Sequence, residues 1–398
     1  MAGREGGGGT VSLAGLALVL ALGLAGPLLA APRRTGIPVA VGEISAGVLA
    51  GRTGLRWIDP GEPVLAFLAS AGFGLIMLVA GSHVPLRDPA LRLALRRGLL
   101  LALLTGALAV AVGYGVAALF DTGHALLYAV LFASSSAALI MPVIDEAKLD
   151  APPVLATIVH VAIADTACIV LLPLAEQPER AGRAALGVLA VLGAGVLLLL
   201  VTREAAHRGL LTRMRKLSRR RHFGLELRVQ LITVFALAGL AQRLGVSVML
   251  AGFAAGLTLA ARGEPHRLAR QLFAVTDGFL GPVFFVWLGA SLDLRALASH
   301  PRMIALAGVL AFGTLAAHGA AALLRQPVAL AVLAAAQLGV PVAAVTIGSR
   351  AGLLRPGEDG AILAAALITV ATTGWAGARA RGDAGLVAQT EAGEPAAD

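Results

Sequence analysis

The stretch "LFASSSAALIMP" (131–142) is an apolar run broken by three consecutive serines, Ser134, Ser135 and Ser136. Hydroxyls inside an apolar helix can satisfy backbone groups that an interruption leaves unpaired. Small residues also let two helices pack closely. The serines alone leave both readings open, and the next apolar run adds weight to the first without closing the second.

That run, "VHVAIADTACIVLLPLA" (159–175), places Asp165 near the centre of a helix with no basic residue between Lys148 and Arg180. Insertion scales put an aspartate at that depth at ~2.5–3.5 kcal/mol, and such residues face a bundle interior or a water-filled cavity. Burial disfavours the charged form. A carboxyl held this way can exchange a proton for a small cation, being neutral in one state and a hard oxygen ligand in the other. Serine hydroxyls and freed carbonyls can complete the shell of a hard cation. The competing reading is a structural aspartate hydrogen-bonded to a neighbouring helix.

The whole composition fits a membrane setting. Of 398 residues, 58% are hydrophobic and 14% charged, and long apolar stretches recur from Val11 to about Ala378. A soluble chain of this length could not hide so much apolar surface. A single cysteine, Cys168, excludes an intramolecular disulfide framework and a cysteine-based metal cluster. The net charge of +9 sits mainly between the apolar runs, which reads as membrane topology and not as a nucleic-acid surface.

Thirteen apolar runs predict about thirteen transmembrane helices: 11–31, 36–55, 63–82, 97–119, 124–143, 152–174, 183–202, 226–241, 245–261, 272–291, 301–324, 328–348 and 359–378. With that layout about two thirds of the 32 basic residues fall in the odd-numbered loops and the C-terminal tail, which predicts an outside N-terminus and a cytoplasmic C-terminus. The same bias argues that residues 11–31 form a helix and not a cleaved signal peptide. The most basic connection, 202–228, reads as a topology-setting cytoplasmic linker.

The runs also echo each other. "GSHVPLR" (81–87) resembles "GASLDLR" (289–295) at an offset of 208, and "ISAGVLA" (44–50) resembles "FAAGLTL" (253–259) at 209. Seven helices separate the members of each pair, so the second half inserts upside down, an inverted-topology repeat. The expected division is a first repeat over 1–178, a linker helix and basic loop over 179–225, an inverted second repeat over 226–378, and a short disordered tail over 379–398. Applied to the serines, the same offset lands in "AQLGVPVAAVTIG" (336–348), where Gly339 and Pro341 interrupt the run. Paired interruptions in two halves mark a midplane binding site, and Pro341 removes a backbone donor.

Glu43 in "VAVGEISAGVLAG" and Asp277 in "FAVTDGFLGPVFF" are secondary candidates, Asp277 near the start of its helix in a dipole or interfacial role. His160, five residues before Asp165, lies off its face and reads as a satisfied core histidine. Nothing matches a Walker loop, a dinucleotide fingerprint or a nucleophile triad, so no enzyme and no cofactor is implied.

On these residues the chain resembles the monovalent cation:proton antiporters, the sodium/hydrogen exchanger and Kef-type group. "VGEISAGVLAGRTGL", "ASSSAALIMPVIDE", "IADTACIVLLPL" and "LGPVFFVWLGASLDL" follow in the family's order over nearly the whole chain. The resemblance implies two crossed discontinuous helices moving against a scaffold, Asp165 alternately binding proton and monovalent cation (Na⁺ or K⁺) with Ser134, Ser135 and Ser136 beside it, and a homodimer in the cell membrane. It also implies no nucleic-acid partner, and the short tail predicts no nucleotide gating within the chain. There are two departures. Ala164 stands where many relatives place a polar residue, and no basic residue lies between Val275 and Leu292. One carboxylate then predicts electroneutral exchange. The rival expectations are an ion-coupled organic-anion carrier, which calls for an arginine near the broken helices, and a channel or inactive scaffold, which would tolerate Asp165→Asn.

Overall fold

In the computed structural model, which describes residues 12–31, 38–82, 89–176, 181–221, 223–262, 266–383 and 385–386, the described residues form helices and no strand. The order begins α1 (Leu13–Gly23), α2 (Ala25–Ala30), α3 (Val39–Ala50), α4 (Pro63–Ser82), α5 (Pro89–Phe120), α6 (Ala125–Ala133), α7 (Ala137–Glu146) and α8 (Pro152–Glu176). Next come α9 (Ala181–His207), α10 (Leu210–Arg221), α11 (Leu225–Arg243), α12 (Val248–Arg262) and α13 (His266–Val275). A π-helical turn (Thr276–Leu280) joins α13 to α14 (Gly281–Ser291), followed by α15 (Leu294–Ala298) and α16 (Pro301–Gly319) with a 3₁₀ end (Ala320–Leu324). The chain closes with α17 (Val328–Ala334), α18 (Gly339–Arg350) and α19 (Glu358–Arg381).

All thirteen apolar runs contain helix. Ten described segments are long and apolar enough to cross a membrane, while α3 and α12 are shorter apolar helices. Four prolines, Pro63, Pro89, Pro152 and Pro301, open helices, where the missing N–H has no intrahelical partner, while Pro173 lies inside α8. The basic connection is not an irregular loop: α9 continues to His207 and α10 carries a further turn-and-helix before α11. Its alternation of leucine with arginine and lysine gives one apolar and one cationic face, which favours helix. The predicted disordered tail lies outside the described residues from 387 onward.

Two helix pairs hold the bundle by direct backbone contact. A Cβ added at Gly289 of α14 would overlap the carbonyl of Ile44 on α3, and one at Gly47 of α3 would overlap the carbonyl of Val286 on α14. The same contacts recur elsewhere. A Cβ at Gly81 of α4 would overlap the carbonyl of Phe253 on α12, and one at Gly256 of α12 would overlap the carbonyl of Leu78 on α4. Residue for residue, the second pair lies at offsets of 208 and 209 from the first, with α3 corresponding to α12 and α4 to α14. Of the two sequence echoes, the residues 83–87 of the first fall outside the described residues.

The two interrupted helices run antiparallel. α6 begins beside the N-terminus of α19, where His124 Nδ1 and Tyr128 Oη both lie within hydrogen-bond distance of Glu358 Oε1. α17 begins at the other end of the bundle, where Gln326 Nε2 donates to Pro153 O and Thr157 Oγ1 at the start of α8. The halves α6 and α17 therefore end facing each other in the interior, and α7 and α18 start there. The second break falls at Ala335–Leu338, about six residues earlier than the offset predicts, because the α5 connection (32 residues) is longer than α16 with its 3₁₀ end (24 residues). Pro341 accordingly lies in the first turn of α18, where it frees no carbonyl within a helix.

Overpacking a filled contact costs ~1–3 kcal/mol. Gly289→Leu and Gly256→Leu should each lower the thermal unfolding midpoint in detergent, read from tryptophan fluorescence. Gly106→Ala, on α5 with open space around its Cα, should leave it unchanged or raised.

Candidate functional site

The first break is built from its own hydroxyls. Ser134 leaves the helix in an extended conformation (φ −71°, ψ 150°) and ends α6. Its Oγ donates to Leu131 O and to Gln337 Oε1 of the second break. Ser135 Oγ donates to Ala334 O, the last residue of α17, at 2.7 Å. These two serines thus tie α6 to α17 and satisfy a helix-end carbonyl that has no intrahelical donor. Ser136 does something different: it is the one of the three that lines a cavity of about 410 Å³.

Asp165 sits at the start of α7. Its Oδ2 accepts the backbone N–H of Ala137, the first residue of that helix, at 3.2 Å. The residue is 4% exposed, and among the described residues it makes no ion pair. The dipole of α7 points its positive end at this carboxyl. Asp165 lies one residue beyond Ser136 along the contact, so the cavity wall separates it from the open space. The structure therefore brings Asp165 to Ala137, the residue that follows the three serines, while Pro341 stands aside in α18.

Gln337 is the residue that sequence reasoning passed over. It lies in the second break, 2% exposed, accepts from Ser134 Oγ, donates from Nε2 to Thr314 Oγ1 at 3.1 Å, and donates its backbone N–H to Thr369 Oγ1. The sequence offered only an indirect signal, Thr369 and Thr373 four residues apart on one face of α19; Gln337 itself is a lone uncharged polar residue in an apolar run. His160 stacks on His318 with ring centroids 5.3 Å apart, and its Nε2 finds no partner among the described residues. It is not the satisfied histidine expected.

Asp277 lies in the π-helical turn and not at a helix start, because α13 precedes it. Glycines at 278 and 281 and Pro282 deny that stretch a regular α-helical ladder. Asp277 and Glu43 line the same cavity as Ser136.

A model of the family described as sodium/hydrogen exchanger, transmembrane, matches residues 16–378. The chain belongs to the sodium/hydrogen exchanger family. It is 24% identical over 381 residues to YjbQ of Bacillus subtilis (strain 168), which carries a provisional Na⁺/H⁺ antiporter name, covering 90% of this chain and 61% of YjbQ. It is 30% identical over 293 residues to the glutathione-regulated potassium-efflux protein KefC of Cronobacter sakazakii (strain ATCC BAA-894), covering 70% of this chain and 45% of KefC. This exchanger-family chain thus spans less than two thirds of either curated relative. Its fold matches the sodium proton antiporter MjNhaP1 of Methanocaldococcus jannaschii, with a TM-score of 0.59, 17% identity, and 93% and 96% of the two chains covered. Membership settles an all-helical, multi-pass membrane protein.

In this exchanger fold Gln337 closes the crossing from both breaks at once. Gln337→Leu removes the bonds to the Ser134 and Thr314 hydroxyls, each of which keeps a bond to a carbonyl of its own helix, so the loss is ~0.5–1.5 kcal/mol per hydrogen bond. The variant should unfold at a lower temperature than wild type, and Gln337→Glu should not restore the loss, since a carboxylate cannot donate to Thr314.

Proposed function

We propose that the protein is a secondary active antiporter that exchanges a proton for a monovalent cation, Na⁺ or K⁺, by alternating access. Asp165 carries both ions in turn, and Ser136 with the freed carbonyls of the first break supplies further oxygen. The observation that carries this reading is the carboxyl of Asp165, buried at the crossing of two broken helices with one backbone donor and no cationic partner among the described residues. A helix N-terminus stabilises an anion by ~0.3–1 kcal/mol, up to ~2 in partly buried geometry. Holding an aspartate at membrane depth costs ~2.5–3.5 kcal/mol. The dipole of α7 therefore offsets only part of that cost, and the remainder is met by a bound proton or a bound cation.

A single such carboxyl hosts one positive charge at a time, which gives electroneutral one-for-one exchange. The matched glycine contacts support two halves related as an inverted repeat, over 1–178 and 226–378 with 179–225 between and 379–398 as a tail. The distribution of basic residues supports a cytoplasmic C-terminus and an outside N-terminus in the cell membrane, and family resemblance supports a homodimer. The cavity then opens toward the cytoplasm, because it ends near Arg381 at the C-terminus of α19.

The test is the purified protein in liposomes with an internal pH probe and external pulses of Na⁺, K⁺ or Li⁺. Wild type should move protons outward as cation enters. Asp165→Asn should abolish that movement while eluting as a folded species; coupled flux in this variant would refute the assignment. A membrane potential imposed at fixed ion gradients should leave the wild-type rate unchanged, and a voltage-dependent rate would refute electroneutrality.

A further inference from the structure

The cavity that reaches Ser136 holds a second set of oxygen donors at its outer part. Glu43 of α3 is 3% exposed and, among the described residues, makes no hydrogen bond or ion pair. Its stem is fixed by close packing: a Cβ at Gly26 of α2 would press on the Glu43 side chain. Thr276, 1% exposed, opens the π-helical turn, and its hydroxyl is also without a partner among the described residues. Thr105 and Thr122 also have hydroxyls without a partner among the described residues, but neither lines this cavity. Thr157, Thr166, Thr314 and Thr346 all donate to the carbonyl four residues back, which satisfies a helical hydroxyl locally. Asp277, next in the chain and exposed, is close enough for its charge to act on Glu43.

Buried polar groups in native structures are almost always satisfied, so two unsatisfied ones on a single cavity wall call for a ligand. The donor set is all oxygen, which selects a hard cation over a soft metal or an anion. Two acidic side chains, Glu43 and Asp277, and one guanidinium, that of Arg381, line the wall. The volume of about 410 Å³ accommodates a cation with several waters, each needing roughly 30 Å³. The cavity runs from exposed Asp277 to buried Ser136, one residue from the N–H that Asp165 holds.

We propose that Glu43, Thr276 and Asp277 form a second, outer cation site that takes up the monovalent cation before it passes Ser136 to Asp165. This rests on the antiport reading above. Thr276 acts through its hydroxyl oxygen, and Glu43 through a carboxyl group with no hydrogen-bond donor among the described residues. The outer site concentrates cation at the cavity and so sets its apparent affinity, while Asp165 sets the coupling to the proton.

Transport in proteoliposomes and thallous-ion binding in crystals separate the two sites. Glu43→Gln should raise the apparent KM for Na⁺ and K⁺ by roughly tenfold or more, as loss of one carboxylate–cation contact predicts, with the maximal rate falling far less. Thr276→Val should raise KM as well while leaving thermal stability unchanged or higher, since the hydroxyl it removes has no partner among the described residues; a merely structural threonine would move stability and not KM. Soaked Tl⁺ should give an anomalous peak at Glu43 and Thr276 in Asp165→Asn, and lose it in the Asp165→Asn, Glu43→Gln double variant. An unchanged KM in Glu43→Gln, or no Tl⁺ peak beside Thr276, overturns the outer site even if Asp165→Asn is inactive. Coupled flux in Asp165→Asn overturns the antiport assignment, and the Tl⁺ peak still reports on the outer site alone.

Discussion

Four helix ends meet inside the bundle, and the hydrogen bonds that close them determine what the site can be. A helix end exposes carbonyls or N–H groups with no intrahelical partner, and in a membrane interior each must find another. The C-terminal end of α17 is closed by a side chain of the opposite break, Ser135 on Ala334 O, and that of α6 by its own Ser134 on Leu131 O, with Ser134 also bonded to Gln337 across the crossing. The N-terminal end of α7 is closed by Asp165. The start of α18 has no such carboxylate: the atoms nearest a Cβ at Gly339 are the sulfur ends of Met77 and Met249. The site is therefore asymmetric even though the two breaks are built alike, and the asymmetry is one aspartate.

The glycine contacts explain how such a crossing can be held in place. Backbone-to-backbone packing of α3 on α14 and of α4 on α12 leaves no side chain to rearrange, so each pair behaves as one stiff unit. The crossing, by contrast, is held through side-chain hydroxyls, one amide and one carboxylate, whose bonds can be exchanged for bonds to ions or water. Rigid pairs around an exchangeable centre are the mechanical requirement for opening to one side and then to the other.

How much of this was legible depended on the length scale of the signal. Helices follow from apolar length: all thirteen runs contain helix, and ten described segments are long and apolar enough to span. The offset of 208 to 209 was legible because glycines that touch carbonyls tolerate no side chain, so Gly47 and Gly256, or Gly81 and Gly289, stay in register. It failed at the second break because the connections differ in length, which shifts Ala335–Leu338 relative to Ser134–Ser136 and moves Pro341 into a helix start. Asp165 was legible from its isolation in an apolar run. Gln337 was not, because one uncharged polar residue in a run of alanine and leucine looks the same whether it binds one partner or three. The division of labour among the serines was also hidden, since their spacing does not say which hydroxyl meets a carbonyl and which meets a cavity.

The buried carboxylates form a series that sequence alone could not order. Glu358, fully buried, lies within 2.6 Å of Tyr128 Oη and 2.7 Å of His124 Nδ1, and its other oxygen accepts the Arg355 N–H at 2.8 Å. Three fixed donors replace most of the water an ionised carboxylate would keep, so Glu358 needs no visiting ion and serves to lock α6 to α19. Asp165 has one fixed donor, and Glu43 has none among the described residues. The free energy that remains unmet rises along that order, and so does the demand for a proton or a cation from outside the protein. Counting donors, and not counting acids, is what separates the carboxylate that builds this exchanger fold from those proposed above to take up ions.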